Sequence, residues 1–385
     1  MRKTKFLSLI LILTLVFSLT ACSDNKLSSN DIISSEHSVL SSADEPLVKD
    51  KDSDSKSPTI GENSKFEAHF LDVGQADATL IFCDDKTMLI DGGNPGDSSL
   101  IAAYLKKHGI DHLDYIICSH AHDDHVGGLP GALSVATVGK VYAPKTENDI
   151  NAYRSFKSKV LSQGLTITTP SSGESFQFGS SNVLFLGPVH ENVDDLNDTS
   201  IVLKITYGET SFLFTGDAER EEEQSILSKN FDLSATVLKV GHHGSGDSTT
   251  YLFLREIMPE YGIISVGDNS YGHPTEEALS RLRDADVEVY RTDMQGDIIV
   301  SSNGKTVSVK ANKNQNIDTN PTVKEVIPAD TDNQDNSQTY IGNKNTKKFH
   351  YPSCYSLPYE KNRVYFDSRS EAINSGYSPC GNCHP

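Results

Sequence analysis

The stretch that decides the fold is HAHDDHVGGLP, residues 120–130, which places three histidines and two aspartates within six positions. It follows the run LDYIICS, which is β-branched, aromatic and too short for a buried helix. In an extended backbone His120 and His122 point to the same side, and a turn then aims Asp124 and His125 at a neighbouring position. Imidazole suits Zn, Fe and Mn, and carboxylate suits the harder ions. We predict a metal site here, in preference to a solvated acidic loop.

The other potential ligands also follow strand-like runs. Asp217 in SFLFTGDAE and the pair His242-His243 in VLKVGHHGS each come after an apolar segment that ends in glycine. The two oxygens of Asp217 can bridge two metal ions about 3.5–4 Å apart, which hold a hydroxide nucleophile and clamp a phosphoryl group. Taken alone, Asp217 is equally typical of a residue that caps the next helix.

Residues 66–310 alternate between strand and helix signals. Short strand-like runs such as FEAHFLDV, DATLIFC and KTMLIDGG come first, broken by Gly and Asp, and helical spacing appears in SSLIAAYLKKHGI. Later strands alternate with predicted helices near 149–163, 218–229, 249–257 and 275–284. This order predicts an α/β protein with mixed sheets covered by helices.

The motifs HAHDDH, LFTGD and VGHH, in this order and spacing, resemble the metallo-β-lactamase fold family from about Phe66 to Lys310. Within that family, LDVGQADATLI, NDTSIVLKITYG and NSYGHPTEEAL are similar to the exported hydrolase-like domain of competence DNA-uptake channel proteins. The resemblance implies a four-layer αββα sandwich with a dinuclear metal site at one sheet edge. It also implies hydrolysis, with phosphodiester or nucleic-acid substrates favoured.

The resemblance implies a role for each matching residue. His120 and His122 would bind the first of two divalent ions, Zn or Mn. Asp124 and His125 would bind the second ion, and Asp217 would bridge the two. Asp124 is also predicted to take part in catalysis.

Three further positions match residues around the family's site. The last histidine ligand commonly follows a glycine, which favours His242 over His243 and leaves His243 to donate to substrate. Asp91 in LIDGG matches an acid that supports the ligands from nearby. His273 in YGHP matches a histidine near the substrate, as general acid or phosphate contact. The alternative for His273 is a helix-start residue before Pro274.

One part of the family's pattern is different here. Many members place another histidine ligand between HxHxDH and TGD, where this chain reads GPVHENVDDLNDTSIVL. His190 lies early in that segment, and Asn197 and Asp198 stand where the competence-type members have Asn-Asp. We predict Asn197 and Asp198 as substitute or supporting ligands. An oxygen-rich first site would favour Mn; a missing ligand would give a mononuclear enzyme or a metal bound only with substrate.

The last segment, residues 339–385, carries a second set of potential ligands. His350, Cys354, Cys380 and Cys383 are spaced H-x3-C, then 25 residues, then C-x2-C. Four such ligands leave no open position, which predicts structural zinc, whereas a disulfide would leave one cysteine unpaired. The segment resembles the zinc-binding domain of the Ada family, in which a cysteine stands at the position of His350. A methyl-acceptor role is therefore not expected here.

Charge divides the chain in two. Residues 66–310 carry 18 Lys+Arg against 36 Asp+Glu, a net −18, whereas residues 340–385 carry six against three. The first balance argues against a long basic groove for duplex DNA, and solubility is its simplest explanation. The basic excess of residues 340–385 predicts that this module binds DNA or another polyanion; the alternative is that the cations only form a solvated surface. The six cations are Lys344, Lys347, Lys348, Lys361, Arg363 and Arg369.

The chain starts MRKTKFLSLILILTLVFSLTAC. Basic residues precede an apolar run that is shorter than the ~20 residues of a spanning helix, which predicts a signal peptide at 1–21. LTAC resembles a bacterial lipobox, which implies a lipid anchor on Cys22; a plain signal peptide is the alternative. Residues 22–65, rich in Ser, Asp and Lys, are predicted as a disordered tether, and 311–338 as a linker.

Together these features predict a hydrolase anchored by lipid on the extracellular face of a bacterial membrane. It would cleave phosphodiesters, with nucleic acid favoured, by means of a metal-bridged hydroxide. Two alternatives remain open: a small phosphoester or lactone hydrolase of the same fold, and a non-catalytic lipoprotein that captures DNA for uptake. No run suits channel-forming helices, so we expect no transmembrane channel.

Overall fold

The computed structural model describes residues 65–189, 195–321, 339–354, 356–380, 383 and 385. The predicted signal peptide, Cys22, nearly all of the predicted tether and His190 lie outside the described residues. Across those ranges, no helix combines the length and the apolar character that crossing a bilayer requires.

The helices are short and lie between the strands. They are α1 (Ser98–Lys107), α2 (Asp123–Val126), α3 (Leu129–Val135), α4 (Asn151–Ser162), α5 (Arg220–Leu227), α6 (Tyr251–Ile257), α7 (Glu276–Asp284), α8 (Thr292–Gln295) and α9 (Arg369–Asn374).

The strands are β1 (Phe66–Phe70), β2 (Thr79–Cys83), β3 (Lys86–Ile90), β4 (His112–Ile117), β5 (Thr137–Tyr142), β6 (Ile167–Thr168), β7 (Ser175–Phe178), β8 (Ser181–Phe185), β9 (Leu203–Tyr207), β10 (Thr210–Phe214), β11 (Val237–Lys239), β12 (Tyr261–Ile264), β13 (Glu288–Arg291), β14 (Ile298–Ser302), β15 (Val307–Ala311), β16 (Tyr340–Asn343), β17 (Lys348–His350), β18 (Arg363–Phe366) and β19 (Ser378–Pro379).

Two large mixed sheets form the hydrolase domain. One has eight strands in the order β15-β14-β1-β2-β3-β4-β5-β6, and the other has seven in the order β13-β12-β11-β10-β9-β8-β7. The apolar core between them is rich in aromatic rings, including Phe66, Phe70 and Phe212. Because both faces of each sheet are covered, the strands read as nearly continuous apolar runs.

Helices cover the outer face of each sheet. Side chains of α1, α3 and α4, such as Ile101 and Phe156, pack on the eight-stranded sheet. Side chains of α5, α6 and α7, such as Ile226 and Phe253, pack on the seven-stranded sheet. The described chain thus has the predicted four layers, αββα.

Parallel pairing brings the ligand-bearing strand ends to one edge. β3 pairs in parallel with β4, and β10 pairs in parallel with β11. Asp91, the HAHDDH stretch, Asp217 and the His242-His243 pair each follow the carboxyl end of one of these strands. The carboxyl ends of parallel strands open at the same edge of a sheet, which is where α/β proteins bind ligands.

Two glycines let α2 and α3 start close to this edge. A Cβ added at Gly128 would lie 1.9 Å from the carbonyl oxygen of Gly92, and one at Gly127 would lie 2.2 Å from the backbone nitrogen of Pro95. Only glycine fits at such separations.

The first residues of the predicted linker, 311–338, contact the hydrolase domain, and residues 322–338 lie outside the described residues. β15 runs to Ala311, and the buried hydroxyl of Thr319 donates to the carbonyl of Val289. Asn320 Nδ2 donates to the carbonyl of Leu279 at 3.0 Å. Because the polar side chains of Thr319 and Asn320 are hydrogen-bonded to β13 and α7, the hydrolase domain extends to about residue 320.

The C-terminal module forms a four-stranded sheet in the order β18-β16-β17-β19, with α9 against it. Its small core includes Tyr340, Phe349 and Phe366. The module and the hydrolase domain belong to one compact unit. Asn362 Nδ2 donates to the carbonyl of Asp284 at 2.9 Å, and Tyr359 Oη donates to the carbonyl of Leu254 at 3.1 Å.

Candidate metal centre

Four side chains converge at the sheet edge. Ligand atoms of Asp124, His125, Asp217 and His243 all lie within 4.8 Å of one another. Asp217 Oδ2 is 3.2 Å from His125 Nε2 and 3.5 Å from His243 Nε2. Asp124 Oδ2 is 3.4 Å from His243 Nε2. Two imidazoles and two carboxylates at this spacing match the donor set of a Zn or Mn site.

The second ring nitrogen of each histidine sets its orientation. His125 Nδ1 lies 2.9 Å from Asp91 Oδ2, and His243 Nδ1 lies 2.9 Å from the carbonyl oxygen of Ser265. When Nδ1 donates to these acceptors, each Nε2 presents its lone pair to the centre. Asp91 also accepts hydrogen bonds from the backbone and the hydroxyl of Ser119.

The atoms that face the centre have no hydrogen-bond partner of their own. His125 Nε2, His243 Nε2 and Asp217 Oδ1 are buried without one. Such atoms carry a large desolvation cost unless something binds them. A divalent cation would satisfy all three at once, so the residues fit the metal that the motif predicts.

The pKa values of the cluster also indicate that its carboxylates require positive charge nearby. Burial lowers the pKa of His125, but the carboxylates of Asp217, Asp91 and Asp124 raise it well above its ordinary value. Burial raises the pKa of Asp217, but His125 and His243 hold it well below its usual range. Protons on the two rings thus balance the carboxylates, and a divalent ion would replace them on binding.

His120 and His122 form a separate pair. His120 Nε2 is 2.9 Å from His122 Nδ1, and His120 Nδ1 lies 3.2 Å from the Ser119 hydroxyl. Burial, followed by the nearby charge on His125, lowers the pKa of His120 well below its ordinary value, so the ring is neutral and able to bind metal. Among the described residues, no grouping of three or more ligand-type residues at the 4.8 Å spacing includes this pair.

Asp198 does not join any of these groupings of His, Cys, Asp and Glu within the described chain, and both Asp198 and Asn197 contact Glu219. Asn197 Nδ2 donates to Glu219 Oε1 at 3.0 Å, and the backbone of Glu219 donates to Asp198 Oδ1 at 2.9 Å. Both residues therefore hold the segment that follows Asp217. These contacts suit the supporting role of the two predicted alternatives, and Asn197 Oδ1 is buried without a hydrogen-bond partner. Their role as supporting or substitute ligands stays a prediction.

The sequence predicts His242 as the metal ligand and His243 as a substrate contact, but in the structure it is His243 that lies in the cluster. His243 is 1 % exposed and reaches the cluster, whereas the side chain of His242 is 23 % exposed. His242 Nδ1 lies 3.0 Å from Glu219 Oε1, and its Nε2 is 3.7 Å from Asp217 Oδ2. Both residues adopt positive φ, 46° and 52°, so the backbone turns between them and sends the second ring inward.

His273 lies at the opening of the site. Its ring centroid is 5.3 Å from that of His242, and the two planes are nearly perpendicular. Burial, together with the neighbouring His242 and His243, lowers the pKa of His273. The same surroundings that raise the pKa of His242 and His243 therefore favour the neutral form of His273.

A buried ion pair behind the cluster had no prediction from the sequence. Asp77 Oδ2 lies 2.8 Å from Lys239 Nζ, and Asp77 Oδ1 lies 3.5 Å from His243 Nδ1. Burial raises the pKa of Asp77, but Lys239 and His243 lower it to about 2. A lysine within the apolar run VLKVG was the available signal, because a charge in a buried strand needs a partner.

The module holds the second predicted set of ligands together. His350, Cys354, Cys380 and Cys383 offer ligand atoms within 4.8 Å of one another. Both ring nitrogens of His350 are buried without a hydrogen-bond partner. Three sulfurs and one imidazole with no open position fit structural zinc.

Comparison with known proteins identifies the family. Residues 71–268, half of the chain, match the sequence profile of the metallo-beta-lactamase superfamily, and residues 326–385 match that of the metal binding domain of Ada. The chain therefore belongs to the metallo-beta-lactamase superfamily and carries an Ada-like zinc-binding domain at its C-terminal end.

Two curated relatives share the hydrolase domain. ComE operon protein 3 of Bacillus subtilis is 31% identical over 262 residues, which cover 61% of this chain and 33% of the relative. Competence protein ComA of Neisseria gonorrhoeae is 31% identical over 229 residues, which cover 58% of this chain and 30% of the relative. This chain thus spans about a third of their length.

One solved structure with this fold is the metallo-beta-lactamase fold protein YhfI from Bacillus subtilis. It is 14% identical, with a TM-score of 0.43, and the match covers 62% of this chain and 100% of YhfI.

Proposed function

We propose that this protein is a metal-dependent phosphodiesterase that cleaves nucleic acid. The observation that carries the proposal is the cluster of Asp124, His125, Asp217 and His243, in which three ligand atoms are buried without a hydrogen-bond partner. Superfamily membership supports metal-dependent hydrolysis, and the likeness to competence proteins supports nucleic acid as the substrate.

The proposed ligand set changes one residue of the sequence-based set. His243 takes the place of His242 beside Asp124, His125 and Asp217, and the His120–His122 pair provides a second position next to Asp217. A divalent ion bound at this centre would act as a Lewis acid. It would lower the pKa of a bound water and stabilise charge on a phosphoryl oxygen. The second position, with two imidazoles and few oxygens, would bind its ion more weakly until substrate completes it.

The chain's own residues then have separate tasks. The Asp124 side chain is 31 % exposed, the most open of the four, and accepts a proton from the attacking water. Burial lowers the pKa of His242, but Glu219 and Asp217 raise it above its ordinary value, so the ring can protonate the leaving oxygen. His273, held neutral, donates a hydrogen bond to the phosphate.

The C-terminal module is proposed to hold the polymer near the acidic hydrolase domain. The module carries six cations whereas residues 66–310 have net charge −18, so phosphate contacts would depend on the module. The zinc ligands would fix the small module that carries these cations, two of which, Lys348 and Arg363, lie on its strands. Binding of DNA should then weaken steeply as salt is raised, whereas cleavage of a small diester should not.

We also propose that Cys22 carries a lipid anchor and that the protein acts on the extracellular face of the membrane. The basic start, the apolar run and LTAC support this placement. Labelling with radioactive palmitate tests it: Cys22→Ser should abolish the label and release the protein from membranes. Full labelling of the variant would contradict the anchor.

The central experiment combines metal analysis with cleavage assays on linear DNA, RNA and bis-p-nitrophenyl phosphate in Mn²⁺ or Zn²⁺. Asp217→Asn should lose activity by 10³-fold or more, roughly, and stay folded, because one shared carboxylate is lost. Asp149→Asn is the matched control, since the Asp149 side chain is 93 % exposed. Equal activity of Asp217→Asn and the control would overturn the assignment.

One observation favours a second candidate, a small phosphoester hydrolase. The acidic hydrolase domain repels polyanions, and small substrates are less affected by this repulsion. Cleavage of bis-p-nitrophenyl phosphate without cleavage of DNA or RNA would select this candidate.

A further inference from the structure

Tyr271 is the most exposed large apolar side chain among the described residues, at 74%. Its ring centroid lies 5.8 Å from that of His273, with the planes tilted by 33°. The His273 ring is 5.3 Å from His242, which is 6.0 Å from His243. A row of rings therefore leads from the metal centre to an exposed aromatic face.

The loop that presents Tyr271 is held by one side chain. Asn269 Oδ1 accepts hydrogen bonds from the backbone nitrogens of Tyr271, Gly272 and His273, at 3.1, 2.9 and 3.0 Å. Asn269 Nδ2 donates to the carbonyls of Gly267 and His273, at 2.9 and 2.8 Å. Five hydrogen bonds from one side chain define the position of the exposed ring before any ligand arrives.

The same loop is packed against the metal centre on both sides. A Cβ added at Gly244, the residue after His243, would lie 2.5 Å from Pro274 Cβ. A Cβ added at Gly267 would lie 2.5 Å from backbone atoms of Gly74 and Gln75, which precede Asp77. The loop thus keeps Tyr271 at a constant distance from His243.

We propose that Tyr271 is a stacking platform for a base of single-stranded nucleic acid, an inference that rests on the phosphodiesterase function proposed above. An aromatic face accepts any base, and its affinity does not depend on charge, which suits a domain with net charge −18. Bases inside a duplex already stack on their neighbours. The substrate class is therefore a single strand or an unpaired end, with one base on Tyr271 and the scissile phosphate at the metal centre.

The sequence offers a direct probe of this contact. The chain contains no tryptophan, so Tyr271→Trp introduces a single indole at the proposed platform. Its fluorescence is recorded in the zinc-loaded protein on mixing with oligothymidylate or with an abasic oligomer of the same length. Leu161→Trp is the matched control, because Leu161 is 65% exposed and lies on α4 of the hydrolase domain, away from the proposed platform and from the C-terminal module.

Stacking predicts that oligothymidylate quenches the fluorescence of the Tyr271→Trp variant, that the abasic oligomer does not, and that neither oligomer affects the Leu161→Trp variant. Tyr271→Ala should raise KM for oligothymidylate about tenfold at unchanged kcat, and Tyr271→Phe should not. Equal quenching of the Tyr271→Trp variant by both oligomers, or none, would overturn the proposal. Cleavage without quenching would refute the stacking role of Tyr271 but leave the proposed hydrolase activity in place. Quenching without cleavage would refute the hydrolase activity but leave nucleic-acid binding at Tyr271 in place.

Discussion

At the scale of single residues, the orientation of each histidine at the proposed metal centre depends on the partner of its Nδ1 atom. Asp77 and the Ser265 carbonyl face His243 Nδ1, and Asp91 faces His125 Nδ1. Such partners fix the tautomer that points Nε2 at a metal and increase its basicity. Lys239 in turn keeps Asp77 ionised.

Asp77→Asn should weaken binding of Mn²⁺ at the centre by about 10- to 100-fold, because His243 loses an ionised partner and Lys239 loses its counter-charge. Isothermal titration of the purified protein with Mn²⁺ measures this change. Asp72→Asn is the matched control, since Asp72 lies in the same loop and its nearest cation is Lys313, 3.5 Å away. Equal affinities in the two variants would show that Asp77 does not position the ligand.

At the scale of secondary-structure elements, the two chain segments that carry ligands are held by close backbone contacts. The start of α3 touches the segment after β3, with Gly128 against Gly92. Since the HAHDDH stretch lies between β4 and α3, this contact limits where its side chains can point.

Gly128→Ala should lower the free energy of unfolding by about 3 kcal/mol, because the new Cβ would overlap the Gly92 carbonyl and the backbone would have to move. Gly96→Ala is the control, since a Cβ there has open space around it. Urea unfolding followed by circular dichroism measures both. A change below ~0.5 kcal/mol for Gly128→Ala would mean that the segment adjusts freely.

The N-terminus of α6 is capped by a buried acid on α5. Glu223 accepts hydrogen bonds from the backbone nitrogens of Thr249 and Thr250 and from the Thr250 hydroxyl. Burial raises the pKa of Glu223 to about 7, although these hydrogen bonds oppose the shift. The segment from His243 to α6 therefore ends on a carboxyl that titrates near neutrality.

The folded pKa of Glu223 is above its unfolded value of 4.5, so its stabilising contribution is complete below pH 4.5 and is lost as pH rises through 7. The free energy of unfolding of the wild type, relative to Glu223→Gln, should fall by about 3 kcal/mol over this range. Urea titrations at several pH values give the difference. A difference that does not change with pH would show that folding does not raise the pKa of Glu223.

At the scale of the whole molecule, the hydrolase domain and the C-terminal module differ in size and in their sources of stability. The hydrolase domain has three apolar clusters around its two sheets. The module has one small cluster and the four zinc ligands. A domain of its size needs a metal or disulfides to stay folded, whereas the sandwich does not.

Cys380→Ser should remove one equivalent of bound zinc, measured by metal analysis, and unfold the module, measured by hydrogen exchange over residues 339–385. The hydrolase domain should keep its exchange protection, because its clusters do not include the module. Cys83→Ser is the control, since Cys83 is buried in the sandwich and belongs to no ligand group in the described chain. Retention of zinc by Cys380→Ser would contradict the ligand assignment.

The sequence by itself determined the alternation of strands and helices and most of the ligand types, and its resemblance to the family implied the four layers. Local hydrophobic patterning sets strands and helices, and HAHDDH, TGD and GHH show where donors follow strand ends. Predicted helices such as 149–163 contain α4, Asn151–Ser162. Such features depend on neighbours in the chain, so the letters are sufficient to predict them.

Only the tertiary structure decided which of the two histidines lies in the cluster of potential ligands and what supports it. His242 and His243 are adjacent and chemically identical, and their different roles follow from two positive φ angles. Asp77 meets Lys239 and His243 across more than 150 positions, a separation at which no spacing rule applies. Side-chain direction and long-range pairing depend on how the sheets pack, which is a property of the folded chain and not of any short stretch.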